Sequence, residues 1–89
     1  MKTMSITSNS KSSVISLLLN GLPYPDTLEE CNKYYKSGLM KYTGGFIDEF
    51  EWNKLKFFGM SLDEQIRELI YLYKEIADTE IQVCIDYDL

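Results

Sequence analysis

This chain of 89 residues has no recognisable catalytic or metal-binding grouping of residues. It contains no histidine, which excludes histidine-based acid–base catalysis, the usual serine and cysteine nucleophile arrangements and most zinc sites. Gly44 and Gly45 form an isolated pair and not a phosphate-binding loop. Asp48, Glu49 and Glu51 lack the alternating oxygen ligands and central glycine of a calcium loop. We therefore expect a protein that is not an enzyme and that has no metal or other cofactor.

Carboxylates are the most abundant reactive groups, and they are concentrated in the second half of the chain. Residues 1–45 hold five basic and three acidic residues, a balance of +2, whereas residues 46–89 hold four basic and eleven acidic residues, a balance of −7. Such a charge repels nucleic acid, so direct nucleic-acid binding is not expected. The acidic half is interpreted either as a solvated surface that aids solubility or as a surface that binds a basic protein partner.

The candidate binding residues come from a helical wheel of residues 62–78. At 100° per residue the apolar side chains occupy one arc, and the charged side chains occupy the other side. Tyr71 lies at the centre of the charged side. An aromatic side chain within an acidic rim is typical of an interface anchor, and a tyrosine lying flat over Arg67 is the alternative. The predicted partner-binding residues are Glu64, Glu68, Tyr71, Glu75 and Asp78, together with the apolar Trp52 and Leu55.

The helix over residues 62–78 is the clearest predicted element, and it has a definite start and end. Ser61 and Glu64 have the spacing of a capping box, in which each side chain satisfies an unpaired amide of the first turn. Past Thr79 the wheel would place Glu80 among the apolar side chains. A period of two fits the following residues better, so a strand is predicted over residues 80–87. That strand needs a partner, which is residues 3–7, a nearby hairpin or another copy of the chain.

Two further helices are predicted in the first half of the chain. The first is capped by Ser12 or Ser13, runs through Leu19 and ends in a left-handed turn at residues 20–21, because Pro23 prevents its continuation. The second begins at the capping box formed by Thr27 and Glu30.

Residues 46–58 fit two structures. A helix places the phenylalanines on one side, with Trp52 and Leu55 opposite them. A hairpin over residues 49–58 would turn at Asn53-Lys54, which is a weaker two-residue turn than Asn-Gly. The helix is the favoured interpretation.

The predicted fold class is mainly α with a short C-terminal strand, a small α+β fold with three to four short helices. The alternative is an α+β fold in which the 49–58 hairpin pairs with strand 80–87. Residues 1–89 are expected to form a single small domain, with residues 1–12 flexible. Cys31 and Cys84 form no CxxC pair, and a secreted domain of this size normally needs several disulfides, so a cytoplasmic location is predicted. No segment is long enough to span a membrane, and no membrane partner is expected.

These observations favour a small acidic interaction protein that acts by binding. Proteins of this size and charge are common among phage-encoded inhibitors of host enzymes and defence systems, so the predicted function is inhibition of a host protein through the acidic and aromatic helix face. One alternative is an oligomeric protein that sequesters a nucleotide through Tyr34, Tyr35, Lys41 and Tyr42. Another is a structural or assembly subunit, a homo-oligomer joined through strand 80–87 by β-augmentation.

Overall fold

A computed structural model of the chain describes residues 1–41, 51–52 and 54–88. In this part of the chain it contains four helices and four strands, which confirms the predicted small α+β fold. The elements in chain order are β1 (Lys2–Ser8), α1 (Lys11–Gly21), α2 (Leu28–Lys36), β2 (Met40–Lys41), β3 (Glu51–Trp52), α3 (Lys54–Phe58), α4 (Leu62–Ala77) and β4 (Thr79–Ile85).

The chain divides into two compact units. The first comprises Met1–Pro23 and Ser61–Leu89 and contains β1, α1, α4 and β4; the second comprises Tyr24–Met60 and contains α2, β2, β3 and α3. Residues 2–8 form a strand in the first unit. The expectations of a single domain and of a flexible segment over residues 1–12 stay predictions.

The C-terminal strand pairs with the N-terminal one. β4 runs parallel to β1, in a register that places Ile6 beside Val83. The Lys2 amide donates to the Asp78 carbonyl at 2.9 Å, and the Asp86 amide donates to the Ser8 carbonyl at 2.8 Å, so the pairing extends over the whole of β1. Of the partners considered for this strand, the N-terminal segment is the one that the structure shows.

Within residues 46–58, residues 54–58 are helical, as the favoured interpretation expected, whereas residues 51–52 form a strand. The hairpin interpretation was wrong for these described residues, and the helix interpretation was right only for residues 54–58. The backbone of Trp52 in β3 pairs with Met40 in β2, in an antiparallel ladder, and the short helix α3 starts only at Lys54. The pairing with β2 supplies partners for the β3 backbone groups, and this contact with a distant segment is invisible in a local pattern. Residues 46–50 and Asn53 lie outside the described residues.

Helix α1 starts earlier and ends differently from the expectation. Its cap is Ser10, whose hydroxyl accepts from the Ser13 amide at 3.1 Å, and not Ser12 or Ser13. No left-handed residue ends it, because Pro23 pushes the preceding Leu22 into an extended conformation with φ −69° and ψ 131°. The helix therefore continues to Gly21 and ends before Leu22, the residue that precedes the proline.

Helix α2 ends in a Schellman motif. Gly38 adopts φ 84°, a conformation that costs glycine little. The Leu39 amide then donates to the Tyr34 carbonyl at 3.2 Å, and the Gly38 amide donates to the Tyr35 carbonyl at 3.1 Å. The predicted cap at the other end is confirmed, since the Thr27 hydroxyl accepts from the Glu30 amide at 3.1 Å.

Helix α4 begins at the predicted cap, Ser61, but the Glu64 carboxylate bonds the Ser61 hydroxyl and not a backbone amide, so only half of the predicted capping box forms. The helix ends abruptly. The Ser61 hydroxyl accepts from the Glu64 amide at 3.2 Å and donates to the Glu64 carboxylate at 3.0 Å. At the other end Asp78 adopts the left-handed conformation, with φ 48° and ψ 42°, and β4 follows immediately. The predicted change from helix to strand is therefore confirmed, and the strand starts one residue earlier than expected.

Each unit has its own buried side chains. In the first unit, the fully or almost fully buried apolar residues are Val14, Ile15, Leu18, Leu69, Leu72, Tyr73 and Ile81. In the second they are Cys31, Tyr34, Leu39, Met40 and Phe57. Large side chains such as these supply the apolar area that a chain of this size needs for stability.

Candidate protein-binding surface

Four of the predicted site residues share one face of α4. Glu64, Glu68, Tyr71 and Glu75 are spaced by four, three and four residues, which places them in a line along a helix. The cap at Ser61 marks where the helix begins, and α4 contains all four residues. We call this row the α4 stripe.

The α4 stripe is accessible to a partner, with Tyr71 near its middle. Glu64 and Glu75 are exposed, whereas Glu68 is half-buried. The Tyr71 side chain is 42 % exposed, so the ring presents a large surface and also contacts the protein. The arrangement combines an accessible aromatic ring with carboxylates on either side of it, as predicted from the wheel.

The buried arc of α4 explains why Glu68 is less accessible than the other glutamates. Gln65 is 3 % exposed and Leu72 is fully buried. Gln65 lies three residues before Glu68 and Leu72 four residues after it, so both are helix neighbours of Glu68 on the side that faces the core. The wheel places the polar Gln65 within the apolar arc, and the structure buries it there.

The opposite edge of the α4 stripe is basic. Arg67 and Lys74 are both exposed and lie four residues before and three residues after Tyr71. At this spacing both side chains are within reach of the Tyr71 ring. A partner on the α4 stripe would therefore contact a ring with acidic groups in line with it and basic groups on one flank.

The glutamates of the α4 stripe are placed at a cost to the helix. Glu64 and Glu68 form a like-charge pair at i,i+4, which destabilises a helix by a few tenths of a kcal/mol. Glu75 lies in the last turn of α4, where the helix dipole disfavours a negative charge. A bound cationic surface would relieve both penalties.

Asp78 stands apart from the stripe. Its backbone leaves the helix in the left-handed conformation, so the helical spacing no longer determines its direction. Its carboxylate lies 3.6 Å from the amino group of Met1. Trp52 and Leu55 belong to β3 and α3 of the second unit, and their side chains lie outside the described residues. The binding role assigned to these three residues stays a prediction.

An ion pair that the sequence pattern did not indicate joins the first turns of α1 and α4. Lys11 Nζ lies 2.8 Å from Asp63 Oδ1. The hydrogen bond and the charge of Lys11 lower the pKa of Asp63, and the same contact raises the pKa of Lys11. A helical wheel relates only residues of one helix, so it could not indicate a pair between α1 and α4.

The residues of the nucleotide-binding alternative are only partly accessible. Tyr34 is fully buried, whereas Tyr35 is 51 % exposed and Lys41 is exposed. Tyr42 lies outside the described residues. A ligand that approached α2 from solvent would therefore meet Tyr35 and not Tyr34.

The described part of the chain lacks the groupings of a metal site and of a membrane span. Within residues 1–41, 51–52 and 54–88, no group of three or more histidine, cysteine, aspartate or glutamate residues could hold a metal ion. Cys31 and Cys84 are free thiols, and burial raises the pKa of Cys31. None of the helices in the same residues combines the length and the hydrophobicity needed to cross a bilayer.

No protein family, no curated protein and no solved structure matches the chain significantly.

Proposed function

We propose that the protein is a small acidic inhibitor that binds a host protein with a basic surface, through the α4 stripe. The observation that carries the proposal is the accessible ring of Tyr71 in line with the carboxylates of Glu64 and Glu75. Tyrosine is one of the residues that most often dominate the binding energy of an interface. Carboxylates beside it would steer a basic partner and speed its association.

The kind of inhibitor is inferred from the class of the chain. An acidic protein of this size fits a phage-type factor that counteracts host defence or takes over a host enzyme in the cytoplasm. Such a factor acts by covering a functional surface of its target, and it needs no chemistry of its own. The position of Glu75 in the last turn of α4, where the helix dipole disfavours a negative charge, supports selection for binding.

Capture of the partner is the first experiment. The full chain, immobilised through a tag, is exposed to bacterial lysate, and bound proteins are identified by mass spectrometry. We expect one stoichiometric protein with a basic patch, whose activity falls when the purified chain is added. Recovery of no stoichiometric partner would contradict the proposal.

Substitution of Tyr71 then tests the surface. Tyr71→Ala should weaken the captured complex by about tenfold or more, as expected for an aromatic anchor. Tyr35→Ala is the matched control, since Tyr35 is exposed to a similar degree on α2, and it should leave affinity unchanged. Equal effects of the two substitutions would show that the α4 stripe is not the binding surface.

The carboxylates have a separate signature in kinetics. Glu64→Gln with Glu75→Gln should lower the association rate and flatten its dependence on salt, because exposed charges act mainly on encounter. Glu80→Gln with Asp88→Asn, at two exposed positions outside α4, removes the same two charges and is the control for the loss of negative charge alone. An unchanged salt dependence in the double variant would exclude steering by the α4 stripe.

A further inference from the structure

The sheet formed by β1 and β4 has two strands and therefore two outer edges. Backbone groups alternate along a strand, and those of Lys2 and Ser8 bond to the β4 side. The amides and carbonyls of the intervening Thr3, Ser5 and Thr7 consequently point away from β4. In the described residues no other strand pairs with this sheet, so the outer edge of β1 presents a row of backbone donors and acceptors.

The outer edge of β1 lacks the features that usually block pairing with another strand. Natural edge strands carry charges, proline or bulges that prevent it. From Thr3 to Ser10 the chain has no charged residue and no proline, and β1 is exposed over most of its length. The inner face of the strand is also incompletely covered, since Met4 is 38 % exposed.

The sequence of β1 is complementary to itself in the antiparallel direction. Thr3-Met4-Ser5-Ile6-Thr7 reads as the same chemical pattern from either end, centred on Ser5. A two-fold axis at Ser5 would place Thr3 opposite Thr7 of the other copy and Met4 opposite Ile6. Threonine pairs and pairs of apolar side chains are both favourable across strands. A two-fold interface requires this kind of self-complementarity.

We propose that β1 is a homodimer surface, on which a second copy of the chain adds its own β1 antiparallel about Ser5. The resulting sheet has four strands, with the two β1 strands in the middle and each β4 outside. The free amides and carbonyls of Thr3, Ser5 and Thr7 then bond to the same residues of the other copy. This interface uses a surface separate from the α4 stripe and does not rest on the proposed function.

Charge favours this contact over others between two copies. The chain carries a net charge of −5, so most faces of two copies repel one another. The only charged residue of β1 is Lys2, which would lie opposite Ser8 of the other copy. β4, in contrast, carries Glu80 and is followed by Asp86, and it was β4 that the sequence alone suggested as the oligomer contact.

Sedimentation velocity over a range of concentrations tests the dimer with a pair of proline variants. Ser5→Pro removes an amide that faces away from β4. An edge strand tolerates proline at such a position, so the fold should be kept, but the substitution should convert the dimer to a monomer. Val83→Pro removes the corresponding outward amide of β4 and should leave the dimer intact. Circular dichroism melts establish that each variant is folded.

Charge substitutions at Thr3 and Thr7 test the register independently of proline. Thr3→Lys with Thr7→Glu places opposite charges across the axis, whereas Thr3→Lys with Thr7→Lys places like charges there. The first variant should dimerise about two- to thirtyfold more tightly than the second, from two symmetry-related pairs. The second variant has the smaller net charge, so general repulsion predicts the reverse order.

Four results would overturn the proposal. The first is a parent chain that stays monomeric at the highest concentration, and the second is a dimer that is lost in Val83→Pro but not in Ser5→Pro. The third is equal dimerisation of the two charge variants, and the fourth is the formation of open-ended polymers. Polymers would indicate pairing of β1 with β4 of the next copy, since such a head-to-tail contact does not close.

Discussion

The hydroxyl of Tyr73 closes the end of another helix. It donates to the Leu18 carbonyl at 2.7 Å, and Leu18 is among the last four residues of α1, whose carbonyls lack helical partners. Burial raises the pKa of Tyr73, so the group stays protonated and able to donate. The same hydroxyl occupies the space that a side chain at Gly21 would need. The Tyr73 hydroxyl oxygen therefore leaves room only for glycine at position 21.

A double-mutant cycle should reveal this coupling. Gly21→Ala normally stabilises a helix by up to about 1 kcal/mol, but here we expect destabilisation because the new methyl group would overlap Tyr73 Oη. Tyr73→Phe alone should cost about 1–3 kcal/mol, since it leaves the Leu18 carbonyl without this partner. In the Tyr73→Phe background, Gly21→Ala should become neutral or stabilising. Urea unfolding of the four proteins measures the cycle, and additive effects would contradict it.

The Lys11–Asp63 pair should make stability depend on pH at both extremes. The pKa of Asp63 lies below its ordinary value of 3.8, so its stabilising effect is complete above that value and is lost as the pH falls through the lowered pKa. The pKa of Lys11 lies above 10.5, so its contribution is lost as the pH rises through the raised pKa. Asp63→Asn should therefore flatten the acid limb of the stability profile.

Urea unfolding at a series of pH values measures that profile. Asp26→Asn, an exposed aspartate of the second unit, is the control and should retain the acid limb. Both partners of the Lys11–Asp63 pair are accessible, so added salt should reduce the difference between parent and Asp63→Asn. An acid limb of unchanged slope in Asp63→Asn would show that this pair does not contribute.

At the scale of elements, the capping serine of α1 offers the clearest test. The structure assigns the cap to Ser10, and Ser12 is exposed inside the helix. Ser10→Ala should destabilise the protein by about 1 kcal/mol, whereas Ser12→Ala should be neutral or slightly stabilising, because alanine is the better helix former. Thermal melts of both variants measure the difference. A larger loss of stability in Ser12→Ala than in Ser10→Ala would show that Ser12 caps the helix, one of the two caps that the sequence predicted.

The predictable elements are those whose signals are local. The caps at Thr27 and Ser61, and the change of period at Thr79, each depend on neighbouring residues, and the structure confirms all three. The reciprocal half of each capping box does not form, because the Glu30 carboxylate accepts from the Asp26 amide and the Glu64 carboxylate accepts from the Ser61 hydroxyl. The start of α1 was missed because Ser10, Ser12 and Ser13 can all cap a helix and the pattern alone does not distinguish them. The exposure of Tyr71 was predictable from the wheel. The partial burial of Glu68 was not, because it depends on the residues of other elements that cover its neighbours Gln65 and Leu72.

At the scale of the whole molecule, the sequence left open every contact between distant segments. The pairing of β1 with β4, the pairing of β3 with β2 and the Lys11–Asp63 ion pair all join residues that no periodicity relates. The sequence indicated that β4 must pair with another strand, because its backbone groups need hydrogen-bond partners, and it limited the candidates to a few segments. The choice among them depended on packing that the chain acquires only when it folds.

The pairing of residues 2–8 with residues 79–85 also sets an order of events during synthesis. β1 emerges from the ribosome long before β4, and closing so long a loop is slow compared with forming local structure. Until β4 appears, both edges of β1, in which only Lys2 is charged, are open. Neighbouring chains on one messenger RNA would therefore be able to join through β1 before either has completed its own sheet.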